Sequence, residues 1–378
     1  MIEAASAGRR NPWLDLVRGL AIIFVLLRHG EKSLSEAGLA AGGIFHNVMM
    51  NGWIGVDLFF VLSGYLITSH LLRERERESG IRVLHYLTQR ALRILPAYFA
   101  VLALIVAGAF PYFAVDPAYL GVRVAYHLLL LQDYLPSNIN VVFWSLGVEE
   151  KFYLLAPLAV AGFMALRTPG RAGMVVLALL VIVSLLRLMQ FESRPLWDYV
   201  SFFQELRSPF HMSLEPLLAG LAIAYARHMK LLERLPRSPV LLMAVLALLL
   251  GFMASHQFMA EITLADVVVQ PALISLLCAG LVAAAVGLAF TPLPWASLAQ
   301  VTARLSYCLY LVHFPLLPAA QAWAGGSALL FWAIYLSLSI TVAWLIHRLV
   351  EKPFLDIKNR LARASRAGPP RPATAAAE

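Results

Sequence analysis

The fold is decided by stretches such as SPVLLMAVLALLLGFMASHQFMA, residues 238–260, which contain no Asp, Glu, Lys or Arg. At about 1.5 Å per residue, a helix of this length is about 34 Å long, enough to cross a hydrocarbon core of about 30 Å. These charges are also absent between Asp266 and Arg304 and between Arg304 and Arg348. Lipid offers no partner to an unpaired backbone group, so continuous apolar runs predict helices rather than a barrel.

The composition agrees with a membrane protein. Of the 378 residues, 60% are apolar and only 14% are charged, whereas a soluble domain carries about 25% charged residues. A soluble protein of this length would expose too much surface for so few charges. This excludes an ordinary soluble enzyme, a disordered protein and a disulfide scaffold. We therefore predict an all-α, polytopic integral membrane protein.

The apolar runs predict about ten transmembrane helices. The expected spans are roughly residues 13–30, 52–72, 95–115, 142–166, 173–190, 210–227, 238–257, 267–289, 304–321 and 326–347. We expect the shorter apolar piece at 120–135 to be re-entrant or to lie at the interface. The chain then divides into a cytoplasmic N-terminus (1–12), a transmembrane domain (13–354) and a basic, disordered cytoplasmic tail (355–378). Glu351 and Lys352 are expected to close the last span before Pro353.

The basic residues predict the orientation. With the N-terminus in the cytoplasm, 22 of the 30 Lys and Arg residues fall in cytoplasmic segments and about five in extracytoplasmic ones. This asymmetry is typical of membrane proteins and places both termini in the cytoplasm. The net charge of +8 then needs no nucleic-acid partner. We expect a multi-pass protein of the cytoplasmic membrane.

The first predicted helix carries ionisable residues, which are costly in a bilayer and usually functional. Arg18 and His29 are eleven positions apart, within about 20° of three full turns, so their side chains share one face. Arg18 lies toward the cytoplasm, and His29 lies about 16 Å away in the outer half. The alternative is that Arg18 pairs with Asp15 and only anchors the helix, while His29 is an interfacial residue.

Asp57 and Ser63 lie in GVDLFFVLSGYLI, residues 55–67. The structural alternative here is a packing notch of small residues, with Asp57 paired to an arginine, and we favour a packing role for Gly64. In FWSLGVEEKFYLLAP, residues 143–157, Glu149 and Tyr153 share a helix face. The three consecutive charges Glu149, Glu150 and Lys151 could be an interface anchor, but the aromatic context favours an inward-facing Glu149.

A polar stripe marks the ninth predicted helix. In SYCLYLVHFP, residues 306–315, Tyr307, Tyr310 and His313 recur every three residues. The stripe indicates a cavity wall or a hydrogen-bonded core network. Weaker candidates elsewhere are Arg187, Glu205, His211, Glu215 and Asp266. The spacing of Cys and His is not of the zinc type, so we expect no metal.

These fragments, together with Arg18 and His29 and the closing VEKPF of residues 350–354, occur in the order found in one family. The chain resembles the membrane-bound acyltransferases of the acyltransferase-3 family. The resemblance implies transfer of an acyl group, most often acetyl, from cytoplasmic acyl-CoA to a hydroxyl of a carbohydrate or a lipid-linked glycan. It implies acyl-CoA as a donor substrate and no permanently bound cofactor. Some members carry an extracytoplasmic hydrolase-like domain, so a separate extracytoplasmic partner is one expectation.

The resemblance also implies roles for individual residues. His29 and Arg18 are the pair on which the family depends, and the other motif positions are matched by Asp57, Ser63, Glu149, Tyr310 and His313. We expect His29, Arg18, Glu149 and Asp57 to be catalytic, and Ser63, Tyr310, His313 and Tyr153 to bind substrate.

Acyl transfer to a hydroxyl needs a base, stabilisation of an oxyanion and exclusion of water. His29 can accept the hydroxyl proton, with Asp57 or Glu149 to orient its ring, while Arg18 steadies the donor. We favour direct transfer, and a covalent acyl-histidine relay is the alternative mechanism. A different class of protein, a transporter or proton-coupled carrier, also places such residues within the membrane.

Overall fold

The computed structural model describes residues 11–78, 80–135, 138–166, 168–194, 196–234, 236–256, 262–288 and 294–367. Within these ranges the chain consists of helices and connecting turns, without a β-strand, which confirms the all-α prediction. In chain order the α-helices are α1 Pro12–Glu36, α2 Gly43–Met50, α3 Ile54–Glu78, α4 Val83–Val106, α5 Leu120–Leu128, α6 Trp144–Ala165, α7 Pro169–Phe191, α8 Tyr199–Phe202, α9 Leu214–His228, α10 Pro239–Ser255, α11 Gln270–Gly287, α12 Ala296–Val312, α13 Leu317–Trp323, α14 Ala328–Ile346 and α15 Lys352–Ala367.

Several helices begin where a polar side chain caps the first turn and a proline follows it. The Asn11 side chain accepts a hydrogen bond from the Trp13 N–H at the start of α1, directly before Pro12. Ser238 caps α10 in the same way, by accepting from the Val240 N–H. A capped N–H is satisfied, and proline at the first helical position loses no hydrogen bond.

Five helices in the described part of the chain are long and apolar enough to cross a membrane, judged by length and composition. Two of them are α4, Val83–Val106, and α7, Pro169–Phe191. The other three are continuous helical stretches of more than one element: Gly43–Arg77 with α2 and α3, Ala265–Gly287 with a π-helical turn and α11, and Ala328–Ala362 with α14 and α15. The apolar helix Pro239–Ser255 is shorter. The chain is therefore a multi-pass helical membrane protein. The helices α1 and α6, which carry Arg18, His29, Glu149 and Tyr153, are too rich in charge to satisfy the same criterion.

The third predicted span, residues 95–115, is misplaced. The helix α4 begins twelve residues earlier, at Val83, and ends at Val106. Its first turns mix basic and polar residues with apolar ones. The helix therefore begins well before the first continuously apolar stretch. Beyond its end, Gly108 has a φ of 72°, a left-handed conformation that stops a helix.

The ninth predicted span, residues 304–321, is not one helix. The helix α12 ends at Val312, a 3₁₀ turn occupies Phe314–Leu316, and α13 follows. Pro315 lacks the N–H that a continuing helix would need. The apolar run alone does not indicate this break. The break places His313 at the end of a helix.

The last span also differs from the prediction. Glu351 and Lys352 do not close it, because α14 passes through a π-helical turn, His347–Glu351, directly into α15. Pro353 lies in the first turn of α15, where its missing N–H is tolerated. Residues 355–367 of the predicted disordered tail are therefore helical, and residues 368–378 lie outside the described part. The short piece at 120–135 contains α5, whose nine residues cannot cross a bilayer.

The helices α3 and α9 are in close backbone contact through two glycines. A Cβ added to Gly64 would lie 2.3 Å from the Leu217 carbonyl oxygen, and one added to Gly220 would lie 2.2 Å from the Val61 carbonyl oxygen. Only residues without a side chain allow this approach. The predicted packing role of Gly64 is confirmed. This contact fixes α3, and with it Asp57 and Ser63, against the rest of the bundle.

Candidate functional site

The helix α1 carries both Arg18 and His29 without interruption. Eleven residues at about 1.5 Å each place the two Cα atoms about 16 Å apart along the axis, as the spacing predicts. The two side chains line different cavities, one near each end of the helix. The shared helix face therefore does not bring Arg18 and His29 into one cavity.

The first cavity, called the His29 cavity below, is small, at about 90 Å³. Its wall combines aromatic rings with a few polar groups. The aromatic residues are Trp53, Trp144, Tyr199, Phe202 and Phe203, and the polar ones are Arg28, His29, Arg187, Arg207, Asp266 and Tyr310. An apolar wall with a few convergent polar groups is typical of sites that bind small molecules.

His29 is held by two contacts at one ring nitrogen. Its Nδ1 lies 3.0 Å from the Val25 carbonyl oxygen and 3.2 Å from Nε2 of His313. His313 is fully buried, and its own Nδ1 lies 3.0 Å from the Leu309 carbonyl and 2.8 Å from the Tyr310 carbonyl. Because α12 ends just before His313, the ring of His313 can turn back onto these carbonyls while facing α1.

These contacts assign the protons on both rings. A nitrogen that faces carbonyl oxygens must carry hydrogen, so Nδ1 of His313 donates and its Nε2 accepts. The hydrogen that His313 accepts is then the one on Nδ1 of His29, which Val25 shares. The lone pair of neutral His29 is therefore on Nε2, the nitrogen that can act as a base. His313 and Val25 orient this ring.

Neither predicted carboxylate orients His29. Asp57 forms a two-pronged ion pair with Arg207, with N–O distances of 2.9 and 2.8 Å. The Arg207 guanidinium also lies between two indoles, with its Cζ 5.1 Å from the ring centres of Trp53 and Trp144. Asp57 is thus paired with an arginine, as the structural alternative predicts. It does not line the His29 cavity itself but holds Arg207, which does.

Glu149 faces inward, as its aromatic context predicts, but its partners are hydroxyl groups. Its two carboxylate oxygens accept hydrogen bonds from Ser63 Oγ and Tyr153 Oη, each at 2.7 Å. The positive charges of Arg18 and Arg90 act on this carboxylate. Ser63 and Tyr153 are thus brought together with Glu149, and none of the three lines the His29 cavity or the second cavity described below.

Tyr310 belongs to the wall of the His29 cavity. Its hydroxyl group lies 2.6 Å from the Ser145 hydroxyl and donates to the Val142 carbonyl at 2.6 Å. Tyr307, the next residue of the predicted stripe, instead donates to the Ile94 carbonyl at 2.8 Å. The stripe therefore joins α12 to two neighbouring helical segments and forms the hydrogen-bonded network that its pattern indicates.

The second cavity, called the Arg18 cleft below, is larger, at about 960 Å³, and strongly basic. It lies where α1, α4, α12 and the α14–α15 junction meet. Its charged and titratable residues are Arg18, Arg93, Arg304, His347, Arg348, Glu351, Lys352 and Asp356. Such an excess of cations in one cleft raises the local concentration of anions.

Three side chains beside this cleft could together hold a metal ion. One ligand atom each from Cys308, His347 and Glu351 lies within 4.8 Å of the others. His347 Nδ1 is 2.6 Å from a Glu351 oxygen, and Cys308 Sγ donates to the same oxygen at 3.2 Å. The cluster thus satisfies its own hydrogen bonds, and the cations of the Arg18 cleft oppose a divalent ion there.

The sequence pointed to some of the remaining cavity residues and not to others. Arg187 and Glu215, both weak candidates, form a buried two-pronged ion pair. Arg207 lies between the predicted spans 173–190 and 210–227, at the end of the π-helical turn Phe203–Arg207, and lines the His29 cavity. π-helical turns are frequent at functional sites. Arg28 is not among the predicted site residues, because it lies at the end of the first predicted span, where a basic residue is common.

The sequence profile of the acyltransferase domain family matches residues 11–348, which is nearly the whole chain. A proposed O-acetyltransferase of Staphylococcus aureus strain MSSA476 is 24% identical over 92% of this chain and 57% of its own length. The peptidoglycan O-acetyltransferase OatA of Listeria monocytogenes is 30% identical over 40% of this chain and 24% of its own length.

The O-acetyltransferase OatA of Staphylococcus aureus strain NCTC 8325 is 28% identical over 42% of this chain and 26% of its own length. The alignments thus cover less than two thirds of each of these relatives. No solved structure matches the chain. The family profile spans both Arg18 and His29, the helices that carry them, and most of the His29 cavity. The chain therefore belongs to the acyltransferase family, as the order of its motifs predicted.

Proposed function

We propose that this acyltransferase moves an acyl group, acetyl in the first instance, from acyl-CoA to a hydroxyl of a carbohydrate. The observation that carries the proposal is the state of His29, whose Nδ1 is engaged by His313 and Val25 while its ring lines an aromatic cavity. The O-acetyltransferase names of the relatives support the acetyl group. The peptidoglycan acceptor named for the Listeria relative supports a glycan acceptor.

His29 is the proposed general base. Its Nε2 takes the proton of the acceptor hydroxyl as the oxygen attacks the thioester carbonyl. The resulting imidazolium carries hydrogen on both nitrogens, and Nδ1–H already has acceptors in Val25 and His313. Collapse of the tetrahedral intermediate expels the coenzyme thiolate, which takes up the proton. His313 acts through His29 and is therefore a positioning residue.

The Arg18 cleft is the proposed donor site. Its arginines suit the phosphates of coenzyme A, because a guanidinium matches two phosphate oxygens at once. From Arg18, the acyl thioester would reach about 16 Å along α1 to meet His29. We propose that the hydrogen-bonded cluster of Glu149, Ser63 and Tyr153 borders this path. Direct transfer and an acyl-histidine relay both need that path to open, because the thioester carbonyl must reach His29 in each mechanism.

The aromatic wall of the His29 cavity supports a carbohydrate acceptor. Trp53 and Trp144 line this cavity. One face of each indole packs on Arg207, and the remaining ring surface suits the apolar C–H faces of a sugar ring. With the N-terminus in the cytoplasm and about ten crossings, the Arg18 cleft faces the cytoplasm and the His29 cavity lies in the outer half of the cytoplasmic membrane. Donor and acceptor would then approach from opposite sides.

The test is transfer of label from radiolabelled acetyl-CoA to a carbohydrate extract by the full chain reconstituted in liposomes. His29→Gln should lower the rate by about 10²–10⁴-fold, the usual contribution of a general base. The matched control is His127→Gln, because His127 is also a buried histidine but is bonded to Tyr98 and lies outside both cavities. Equal activity of the two variants would refute the proposal.

Omission of the acceptor separates the two mechanisms. Direct transfer predicts no acyl group on the protein after incubation with labelled acetyl-CoA alone. Label that is retained on wild-type protein and lost in His29→Gln would establish the acyl-histidine relay. Carriage of a sugar or a proton across the liposome membrane without acyl transfer would instead favour the transporter.

A further inference from the structure

Three guanidinium groups line the His29 cavity, and two of them are neutralised. Arg207 is paired with Asp57, and Arg187 is paired with Glu215. The third belongs to Arg28, the residue before His29. In the part of the chain that the structure describes, no carboxylate lies within ion-pair distance of Arg28. Its contact is a hydrogen bond from Nη1 to the thioether of Met50 at 2.9 Å.

Arg28 is well buried, with 6% of its surface exposed. Taking a guanidinium out of water is costly unless a counter-charge and hydrogen-bond acceptors replace the lost hydration. A thioether is a weak acceptor and carries no charge, and it engages one of five N–H groups. Most of the hydrogen-bonding capacity of Arg28 is therefore unused where it lines the cavity.

Two acidic residues, one on the same helix and one in the cavity wall, have partners other than Arg28. Glu31, one turn further along α1, accepts hydrogen bonds from the Ala41 N–H at 2.8 Å and lies 2.7 Å from His46. Asp266 also lines the cavity, but one of its oxygens accepts from the Thr263 N–H at 2.8 Å and the other from Gln270. It also lies 3.5 Å from His256. Both oxygens of Asp266 are therefore engaged, whereas Oε2 of Glu31 has no hydrogen-bond partner among the described residues. Neither residue lies within ion-pair distance of Arg28.

We propose that Arg28 binds a fixed negative charge on the acceptor, so that the preferred acceptor is an acidic glycan that carries a carboxylate or a phosphate group. This rests on the proposed function, because it takes the His29 cavity as the acceptor site. A guanidinium binds the two oxygens of such a group as a pair. The phosphates of the donor do not compete, because their proposed site is the Arg18 cleft, at the other end of α1.

Arg28 and His29 are consecutive residues and both line the same cavity, so one sugar bound there can contact both side chains. An acid group held by Arg28 would fix the sugar in one orientation and present a neighbouring hydroxyl to Nε2 of His29. Arg187 and Arg207 cannot take this role without releasing Glu215 and Asp57. The identity of the acceptor would then depend on one residue.

The experiment measures binding and transfer separately, with the full chain purified in detergent. Calorimetry compares methyl glucoside, methyl glucuronide and methyl glucoside 6-phosphate, and label transfer from acetyl-CoA is measured to each. Wild-type protein should bind at least one of the two charged sugars at least tenfold more tightly than methyl glucoside. The sugar that is preferred tells whether the acid is a carboxylate or a phosphate.

Arg28→Gln should remove this preference, raising Kd for the charged sugar about tenfold to hundredfold, as expected for charge-assisted hydrogen bonds, and leaving methyl glucoside unchanged. Arg28→Lys keeps the charge and should keep part of the preference. The control is Lys32→Gln, which removes an exposed charge on the same helix, paired with Glu36, and should behave as wild type.

Two outcomes overturn the proposal. One is wild-type protein without a preference for either charged sugar. The other is an Arg28→Gln variant that lowers kcat equally for charged and neutral sugars with unchanged binding, since Arg28 would then act on the oxyanion of the reaction. Failure of the proposed function is distinguishable, because the binding preference would persist while no label is transferred.

Discussion

Nε2 of His313 lies 3.2 Å from Nδ1 of His29 and joins the broken end of α12 to the middle of the site. His313→Leu removes the acceptor that stabilises the charged ring of His29 during transfer. We expect kcat to fall by about tenfold to hundredfold, the value of one hydrogen bond to a charged group, with KM for both substrates unchanged.

His313→Gln provides the conservative comparison, because the glutamine side-chain oxygen can take the place of Nε2. It should recover a large part of kcat. Steady-state kinetics on reconstituted protein checks both variants, and thermal unfolding shows whether they are folded. Equal losses in His313→Leu and His313→Gln, at equal stability, would show that His313 only fills space.

The ion pair between Asp57 and Arg207 supports a prediction about stability. Asp57→Asn leaves the Arg207 guanidinium without its counter-charge between two indoles, and we expect a loss of about 3–5 kcal/mol in the free energy of unfolding. The double variant Asp57→Asn/Arg207→Gln removes both charges, so its loss should be smaller than the sum of the two single losses. Unfolding in detergent, followed by tryptophan fluorescence, measures all three. Additive losses would contradict a direct pairing.

The glycine contact between α3 and α9 predicts that Gly64→Ala fails to fold. Its Cβ would lie 2.3 Å from a backbone oxygen of α9, and backbone atoms cannot move aside without separating the two helices. Gly162→Ala is the control, because Gly162 lies in α6 with nothing within 4 Å of an added Cβ. It should be neutral or stabilising by up to about 1 kcal/mol. Fluorescence-detected size-exclusion chromatography compares the amount of folded protein.

The basic lining of the Arg18 cleft predicts how donor binding responds to salt. Attraction between exposed charges is screened over about 10 Å at 0.1 M salt and about 3 Å at 1 M. The KM for acetyl-CoA should therefore rise severalfold between these concentrations, while KM for a neutral acceptor stays constant. Arg18→Gln should raise KM for acetyl-CoA at low salt and flatten this dependence. A salt response confined to the acceptor would place the donor elsewhere.

The helical class and several helix bounds could be predicted from apolar runs, because the bilayer fixes the length and backbone pairing of its spans. The starts of α7 and α10 lie within a few residues of the predicted starts, and in the structure a cap and a proline mark each of them. The break after α12 was not predicted, because the spans were read from stretches without charged residues and Pro315 carries no charge. The continuation of the helix through Pro353 was not predicted either, because a proline there indicates a helix end.

The site was predictable where one helix supplies the spacing. Arg18 and His29 are on α1, and Glu149 and Tyr153 are on α6, so the helical repeat places each pair. Contacts between helices were out of reach, because no local pattern tells that Asp57 meets Arg207, 150 positions away. The predicted partner of His29 is a carboxylate, whereas the observed partner is a second histidine, His313. The position of His313 depends on where α12 ends.

The unbroken course of α1 makes this helix a ruler between the two ends of the reaction path. Insertion of a single alanine after Ala21 would advance everything beyond it by about 1.5 Å and swing it through about 100°. Arg18 would keep its place, while the imidazole would leave His313 and the aromatic pocket. Length and rotational phase along this rod thus set the chemistry as firmly as the identity of the two residues it carries.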